Sequence, residues 1–302
     1  MVEQAKIGID IGGTKIAVAA FSPNGKQLLA KRVATPKGDY EQTIKLINDL
    51  ITDAENTIGE RASVGLGTPG SISPKTGLLR NSNSVWMNGK SISKDLEAIT
   101  GRSLRFANDA NCFALSEAVD GAAAGCPVVF GVIIGTGTGG GIVVNSKIVH
   151  GANSIGGEWG HNPLPWPDQS ELPPVACRCG GENCLELWLS GSGLQRDHLA
   201  VTGDKLTAEE ICAGADSSDM AARQTLERHT ARLAKALATV VNLLDPDMIV
   251  LGGGLSKLEH LYVKLPELMK PYVFSDVFET KISPPKHGDA SGVRGAAWLW
   301  NA

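Results

Sequence analysis

Residues 132–144 read VIIGTGTGGGIVV, and how this stretch folds decides between two architectures. Gly135, Gly137 and Gly140 satisfy the G-x-G-x-x-G spacing of a dinucleotide-binding loop. Such a loop must open a helix, because the helix N-terminus holds the pyrophosphate. Here Gly141-Ile142-Val143-Val144 comes next, glycine-led and β-branched, a poor helix start. The stretch therefore reads as a β-hairpin whose tip is stripped of side chains. Consecutive backbone N–H groups at such a tip make an anion-binding nest without a helix dipole.

The pattern recurs. Residues 6–21, KIGIDIGGTKIAVAAF, are two β-branched runs joined by a polar, glycine-bearing turn from Asp10 to Lys15. In one hairpin the glycines need only supply positive φ. In two, each with Thr beside Gly, they point to a polyphosphate gripped from two sides. Two similar α/β domains facing each other across a cleft would produce this echo. Gly65, Gly67 and Gly70 likewise lead into SISP and not into a helix. Gly89-Lys90-Ser91 has the tail of a nucleotide P-loop, but Ser84 stands where its first glycine belongs.

Outward from the hairpins the chain alternates strands and helices. Ile44, Ile47, Leu50, Ile51 and Ala54 give Tyr40–Thr57 a helical period. SVGLGTPG reads as a strand ending in a glycine loop, and LRFANDANCFALSEA as a strand followed by an Ala-rich helix. A long helix over Ala221–Leu244 precedes the strand MIVLGGG. At 302 residues the chain exceeds the usual single core, so two α/β domains are expected. We expect residues 1–118, joined by a C-terminal helix 290–302, to form one domain and 119–289 the other.

With 28 basic and 32 acidic residues, a net charge of −4 and no Lys/Arg block, the chain lacks the basic footprint of a nucleic-acid binder. No window approaches the ~20 apolar residues of a membrane span. The first residues lack the pattern of a signal peptide. A cytoplasmic protein is expected, in which six cysteines argue for metal ligation or burial over disulfides. VACRCGGENCLE places Cys177, Cys179 and Cys184 within eight residues, and His161 is the nearest upstream histidine. Three thiolates and one imidazole close a tetrahedral, structural zinc site. Cys112, Cys126 and Cys212 are expected simply to be buried.

Asp109 stands where a strand gives way to a helix. It could cap that helix, but Asn108, Asp109 and Asn111 bring more polar atoms than a cap needs. A carboxylate at a strand's C-terminal end suits a general base for a substrate hydroxyl. Glu158 and Glu186 flank the cysteine cluster, whose metal would fix their loops.

DIGGTK, LGTPG, ANDANCFALSEA, IIGTGTGGG, GEWGH, the C-x-C-G-x-x-x-C-L-E cluster and LGGG together resemble the ROK (repressor, ORF, kinase) family of sugar kinases, in the family's order. The resemblance implies an actin-like, ribonuclease-H-like ATPase fold, α/β throughout, with two domains around a cleft. It implies ATP, Mg²⁺ and structural Zn²⁺, a hexose substrate and a homodimer. It assigns Asp10, Gly12, Gly13, Thr14 and Lys15 to the first phosphate loop and Thr136 and Gly137 to the second. Gly252, Gly253 and Gly254 would lie near the adenosine. Asp109 matches the catalytic base. Asn108, Glu158, His161 and Glu186 match the sugar-hydroxyl binders, with Gly70, Ser71 and Asn83 contributing. His161 doubles as zinc ligand beside Cys177, Cys179 and Cys184. Ala176 and Asn183 stand where many members have glycine.

Within the family, GSISPKTG, NSNSVWMNG, GEWGHNPLPWP and KHGDASGVRGAAWLW look most like fructokinases of the manno(fructo)kinase type. The expected reaction is therefore phosphorylation of fructose at its 6-hydroxyl. N-acetylglucosamine kinase and glucokinase are the alternatives. The family's sugar-responsive transcriptional regulators carry a helix-turn-helix ahead of this body. Here the first strand begins at about Lys6.

Overall fold

The expected alternation of strands and helices is present in the computed structural model, which describes residues 4–172 and 174–301. The chain opens with β1 (Lys6–Ile11), β2 (Lys15–Phe21) and β3 (Gln27–Ala34), followed by α1 (Tyr40–Ile58). Next are β4 (Ser63–Thr68), the short pair β5 (Ser71–Ile72) and β6 (Leu79–Arg80), α2 (Ile92–Thr100), β7 (Arg105–Asn108) and α3 (Asp109–Val119). β8 (Val128–Ile134), β9 (Thr138–Val144) and β10 (Lys147–Ile148) succeed them. Then come α4 (Glu186–Leu189), α5 (Gly191–Thr202), α6 (Ala208–Asp216) and α7 (Met220–Leu244). β11 (Met248–Gly252), α8 (His260–Met269), β12 (Lys281–Ser283) and α9 (Ser291–Trp298) complete the fold.

The chain divides into two compact units. One comprises Met1–Gly125, Gly141–Gly156 and Lys286–Ala302, the other Cys126–Gly140 and Gly157–Pro285. The expected boundaries at 118/119 and 289/290 thus fall several residues away, and 141–156 joins the first unit. Glu117, fully buried on α3, explains the shift. Its carboxylate accepts from the Ala122 N–H at 2.8 Å, the Lys286 N–H at 2.9 Å and the Ser291 hydroxyl at 2.7 Å. Both chain segments next to the boundaries are tied to α3. The C-terminal helix is also shorter than the expected 290–302.

In the first unit the sheet runs β3-β2-β1-β4-β7. β1 to β3 are antiparallel, while β4 and β7 run parallel to β1. Ile7, Ile9, Ile11, Val64 and Leu66 form its core with the buried stripe Ile44, Ile47, Leu50, Ile51 and Ala54 of α1. α1 starts where Asp39 accepts the Gln42 N–H and stops at Gly59 in the left-handed conformation. α9 packs so closely on β1 that a Cβ at Gly8 would lie 1.9 Å from the Val293 carbonyl oxygen. Register pairs Asp10 with Gly67 and Thr68 with Asn108, so the carboxyl ends of β1, β4 and β7 lie side by side. In parallel α/β sheets that edge is where ligands bind.

The second sheet runs β10-β9-β8-β11-β12. β8, β11 and β12 are parallel, and Ile133 of β8 pairs with Gly252 of β11. The glycine turns after these two strands are therefore neighbours. The segment beyond Gly141 is strand, as the β-branched run requires. α7 is capped by Asp219, which accepts from the Ala221 and Ala222 N–H groups, and buries Leu226, Leu233 and Leu237. Among the described residues no helix is long and apolar enough to cross a membrane.

Candidate active site

The first hairpin turn is narrower than its motif. Asp10 belongs to β1 and Lys15 begins β2, leaving Ile11 to Thr14 around the bend. The Gly12 N–H donates to the Lys15 carbonyl at 2.9 Å. Thr35 braces the turn, its hydroxyl donating to the Gly12 carbonyl at 2.7 Å and its N–H to the Thr14 carbonyl at 3.0 Å. The Asp10 carboxylate sits in a recess opened by two glycines. A Cβ on Gly292 would lie 3.3 Å from its Oδ2, and one on Gly67 would lie 3.6 Å from its Oδ1. Burial raises its pKa to about 6, against the attraction of Arg32.

Asp109 is the first residue of α3, and the cap is Asn108, not Asp109. The Ala110 N–H donates to both Asn108 Oδ1 at 2.9 Å and Asp109 Oδ1 at 2.8 Å. The Cys112 thiol, fully buried, is pushed well up by burial and then by the charges of Asp10 and Asp109. The charges of both carboxylates therefore act on one buried thiol. Asn108 Nδ2 donates to the Gly70 carbonyl at 3.1 Å. Gly70 has φ 78°, and a Cβ there would meet the Arg80 carbonyl oxygen at 2.3 Å. Arg80 Nε donates to the Ser71 hydroxyl at 3.3 Å. Asn83 lies exposed on the adjoining loop, whose bend is held by Asn88 accepting the Ser82 N–H at 2.9 Å and donating to the Ser82 carbonyl at 3.0 Å. Gly70, Ser71, Asn108, Asp109 and Asp10 thus gather at one end of the first sheet.

In the second unit the bend at Gly135–Gly137 is closed by the Gly135 N–H donating to the Gly137 carbonyl at 3.0 Å. The Gly191 N–H donates to the Gly135 carbonyl at 2.7 Å, and the Ser192 hydroxyl to that of Thr136 at 3.1 Å. Gly253 has φ 86°, and a Cβ on it would lie 2.6 Å from the Ile134 carbonyl oxygen. Gly253 and Gly254 therefore adjoin the hairpin tip. Glu186, expected among the sugar binders, also meets this tip. Its Oε2 accepts the Thr138 N–H at 3.2 Å, and its Oε1 lies 3.2 Å from Arg178. Glu158 is exposed, just before the short turn Trp159–His161.

The cysteine cluster is assembled by short pairings. Pro163 pairs with Cys184 and Ala176 with Glu182, which brings His161 to the thiols. One ligand atom each from His161, Cys177, Cys179 and Cys184 lies within 4.8 Å of the others. Cys177 Sγ is 3.8 Å from His161 Nδ1, and Cys179 Sγ is 3.5 Å from Cys184 Sγ. A tetrahedral ion with Zn–S bonds of about 2.3 Å would space sulfur ligands by about 3.8 Å. The donor set and spacing fit zinc. Asn183 adopts φ 52° and so takes up the glycine conformation at that position. Cys126 and Cys212 are half-buried, not buried as expected, while Cys112 is buried.

Three features lie beyond the sequence reading. Ser84 Oγ is buried without a hydrogen-bond partner, 3.3 Å from where a Cβ on Gly13 would stand. Arg232, buried in α7, joins Glu171 Oε1 at 2.6 Å and Asp197 Oδ1 at 2.8 Å. Asn183 Nδ2 donates to the Glu171 carbonyl at 3.2 Å, tying this charge network to the cysteine loop. The third is the charge of Asp10 and Asp109 acting on the Cys112 thiol, whose burial alone is expected from the sequence. Only Arg232 carries a signal, a charge on the apolar stripe of a long helix.

Residues 6–302 match the ROK family. The chain is 39% identical over 296 residues to an N-acetyl-D-glucosamine kinase of Yersinia enterocolitica, covering 97% of this chain and 98% of that enzyme. A ROK hexokinase from Thermus thermophilus superposes with a TM-score of 0.86 at 32% identity, covering 97% of this chain and 96% of the other. A ROK glucokinase from Streptomyces griseus, solved with glucose and AMPPNP, gives 0.79 at 25% identity over 98% of each chain. The fold is accordingly the actin-like ATPase fold, and the chain belongs to the ROK family as one of its sugar kinases.

Proposed function

We propose that the protein transfers the γ-phosphoryl group of ATP to the 6-hydroxyl of N-acetyl-D-glucosamine. The observation that carries this reading is the likeness to N-acetyl-D-glucosamine kinases along nearly the whole chain, including 39% identity with the Yersinia enterocolitica enzyme. It moves the preferred sugar away from fructose, which rested on likeness in GSISPKTG, NSNSVWMNG, GEWGHNPLPWP and KHGDASGVRGAAWLW.

Phosphoryl transfer asks for positioning and charge stabilisation more than covalent chemistry. We assign the N–H groups of Gly12, Gly13 and Thr14, and those around Thr136 and Gly137, to ATP phosphate oxygens. Lys15 adds a positive charge beside the first turn. Gly253 and Gly254 present a side-chain-free surface to the nucleoside. Asn108, the Gly70–Ser71 loop, Asn83, Glu158, His161 and Glu186 orient the sugar hydroxyls. Asp109 accepts the 6-hydroxyl proton as that oxygen bonds to the γ-phosphorus and the bond to the ADP oxygen breaks. Mg²⁺, when bound with ATP, neutralises phosphate charge. A coupled ADP-release assay over N-acetylglucosamine, N-acetylmannosamine, glucose, mannose and fructose tests the choice of sugar. N-acetylglucosamine should give the highest kcat/KM; a higher value for fructose would overturn the assignment.

His161, Cys177, Cys179 and Cys184 would hold zinc, whose part is to fix the loop that carries His161 and leads into Glu186. Ligation through His161 Nδ1 would leave its proton on Nε2, as a donor for a sugar hydroxyl. Protein purified without chelator should contain about one zinc per chain by mass spectrometry, and Cys184→Ser should lower both zinc content and Tm. Zinc well below stoichiometric in fresh wild-type protein would remove the metal from this account.

A further inference from the structure

We infer that a small cavity of the first unit, beside Ser71 and Asn108, is the subsite for the 2-acetamido group of the sugar, with Asn111 reading its N–H. The inference rests on the N-acetylglucosamine reading and deepens it.

The cavity measures about 160 Å³, and its lining includes Ser71, Ile72, Phe106, Asn111, His150 and Ser154. That is many times the ~15 Å³ that admits one water. It also touches Asn108, so it opens beside two residues assigned to the sugar. Asn111 lies in the first turn of α3, three residues beyond the cap Asn108, and lines the same cavity. It is 7% exposed, and its Oδ1 is buried with no hydrogen-bond partner. Buried acceptors are nearly always satisfied, so an orphan acceptor on a residue that lines the cavity marks a place for a ligand donor.

The walls are built and not merely left over. Arg80 reaches both sides, donating from Nε to Ser71 Oγ at 3.3 Å and from its terminal nitrogen to the Asn153 carbonyl at 3.1 Å. The Gly156 N–H donates to the His150 carbonyl at 2.9 Å, closing the loop that carries His150 and Ser154. A Cβ on Gly141 would lie 2.9 Å from Asn111 Cα, so β9 packs closely on the helix turn bearing Asn111.

An acetamido group offers one N–H donor, one carbonyl acceptor and one methyl. The cavity answers each. Asn111 Oδ1 takes the N–H, the Ser71, His150 and Ser154 side chains supply donors for the carbonyl, and Ile72 and Phe106 pack on the methyl. A hydroxyl in place of the acetamido group leaves much of the cavity unfilled. A site built to pair a polar group discriminates against a substrate that lacks it.

The test is the ratio of kcat/KM for N-acetylglucosamine to that for glucose, in wild type, Asn111→Leu and His150→Ala. Asn111→Leu keeps the volume and removes the acceptor. Its ratio should fall about tenfold or more, as for a lost buried hydrogen bond, and chiefly through KM for N-acetylglucosamine. His150→Ala, on an exposed loop, should lower the ratio in the same direction and keeps the test decisive if Asn111→Leu does not fold. Wild type active on N-acetylglucosamine, with ratios unchanged within twofold in the folded variants, overturns the subsite alone. Wild type inactive on N-acetylglucosamine overturns the substrate reading, and the subsite with it.

Discussion

Asp109→Asn should lower kcat for sugar-dependent ADP release by about 10²- to 10⁴-fold, the span that general-base catalysis contributes. The substitution is close to isosteric. The amide oxygen can still accept the Ala110 N–H, which donates to Asp109 Oδ1 at 2.8 Å, and Asn108 continues to cap α3. The start of the helix should therefore survive, and with it the positions of Asn108 and Gly70. The loss is confined to the group that takes the 6-hydroxyl proton. Sugar affinity measured by calorimetry should change only a few-fold. This pattern separates a base from a residue that merely binds or caps, since a binding role would appear first in affinity. Turnover within tenfold of wild type would remove Asp109 from the chemistry.

The parts of this site legible in the sequence are those where backbone geometry is dictated by residue type. The β-branched run after Gly141 has to be strand, so its glycines form a hairpin tip, and the same logic holds from Lys6 to Phe21. Cysteines spaced two and five residues apart, in a loop rich in glycine, have few ways to avoid one another. The features hidden from the sequence depend on distant segments meeting. Nothing local says that Glu117 will hold Lys286 and Ser291, and this is why the unit boundaries fall where they do. The Asn108 cap is a subtler case. Adjacent Asn and Asp can both cap, and the choice depends on where β7 ends against β4. Asn111 reads in sequence as one more polar residue in a crowded cluster. Its importance emerges only once Oδ1 is seen to be buried without a partner, on a residue that lines a cavity with the distant His150 and Ser154.

Asp10→Asn should make the protein more stable at neutral pH while severely impairing its use of ATP. The wild-type carboxyl has a pKa of about 6, raised from 3.8 by burial and only partly opposed by Arg32. The Cys112 thiol lies by the same recess and adds no positive charge. The folded state therefore holds the proton more tightly than the unfolded chain does. Above pH 6 folding forces a charge out of water, and the penalty is complete. Between pH 6 and 4 the carboxyl protonates in the folded state and the penalty fades. The rise from 3.8 to about 6 caps the effect at about 3 kcal/mol. Asn carries no charge at any pH, so its advantage in denaturant unfolding should approach that ceiling at pH 8 and vanish near pH 4. Equal stability at pH 8, or a gap that stays constant between pH 8 and pH 4.5, would show that Asp10 carries no burial penalty. Function runs the other way. We propose that the charged form of Asp10, beside the first phosphate loop, attracts the cation bound with ATP, so wild-type KM for ATP should rise as pH falls below about 6. A recess that destabilises its own carboxylate is a stability cost of the kind that active sites retain. Within the fold Arg32 only partly offsets the burial of that charge, and a metal–nucleotide complex would supply the remainder.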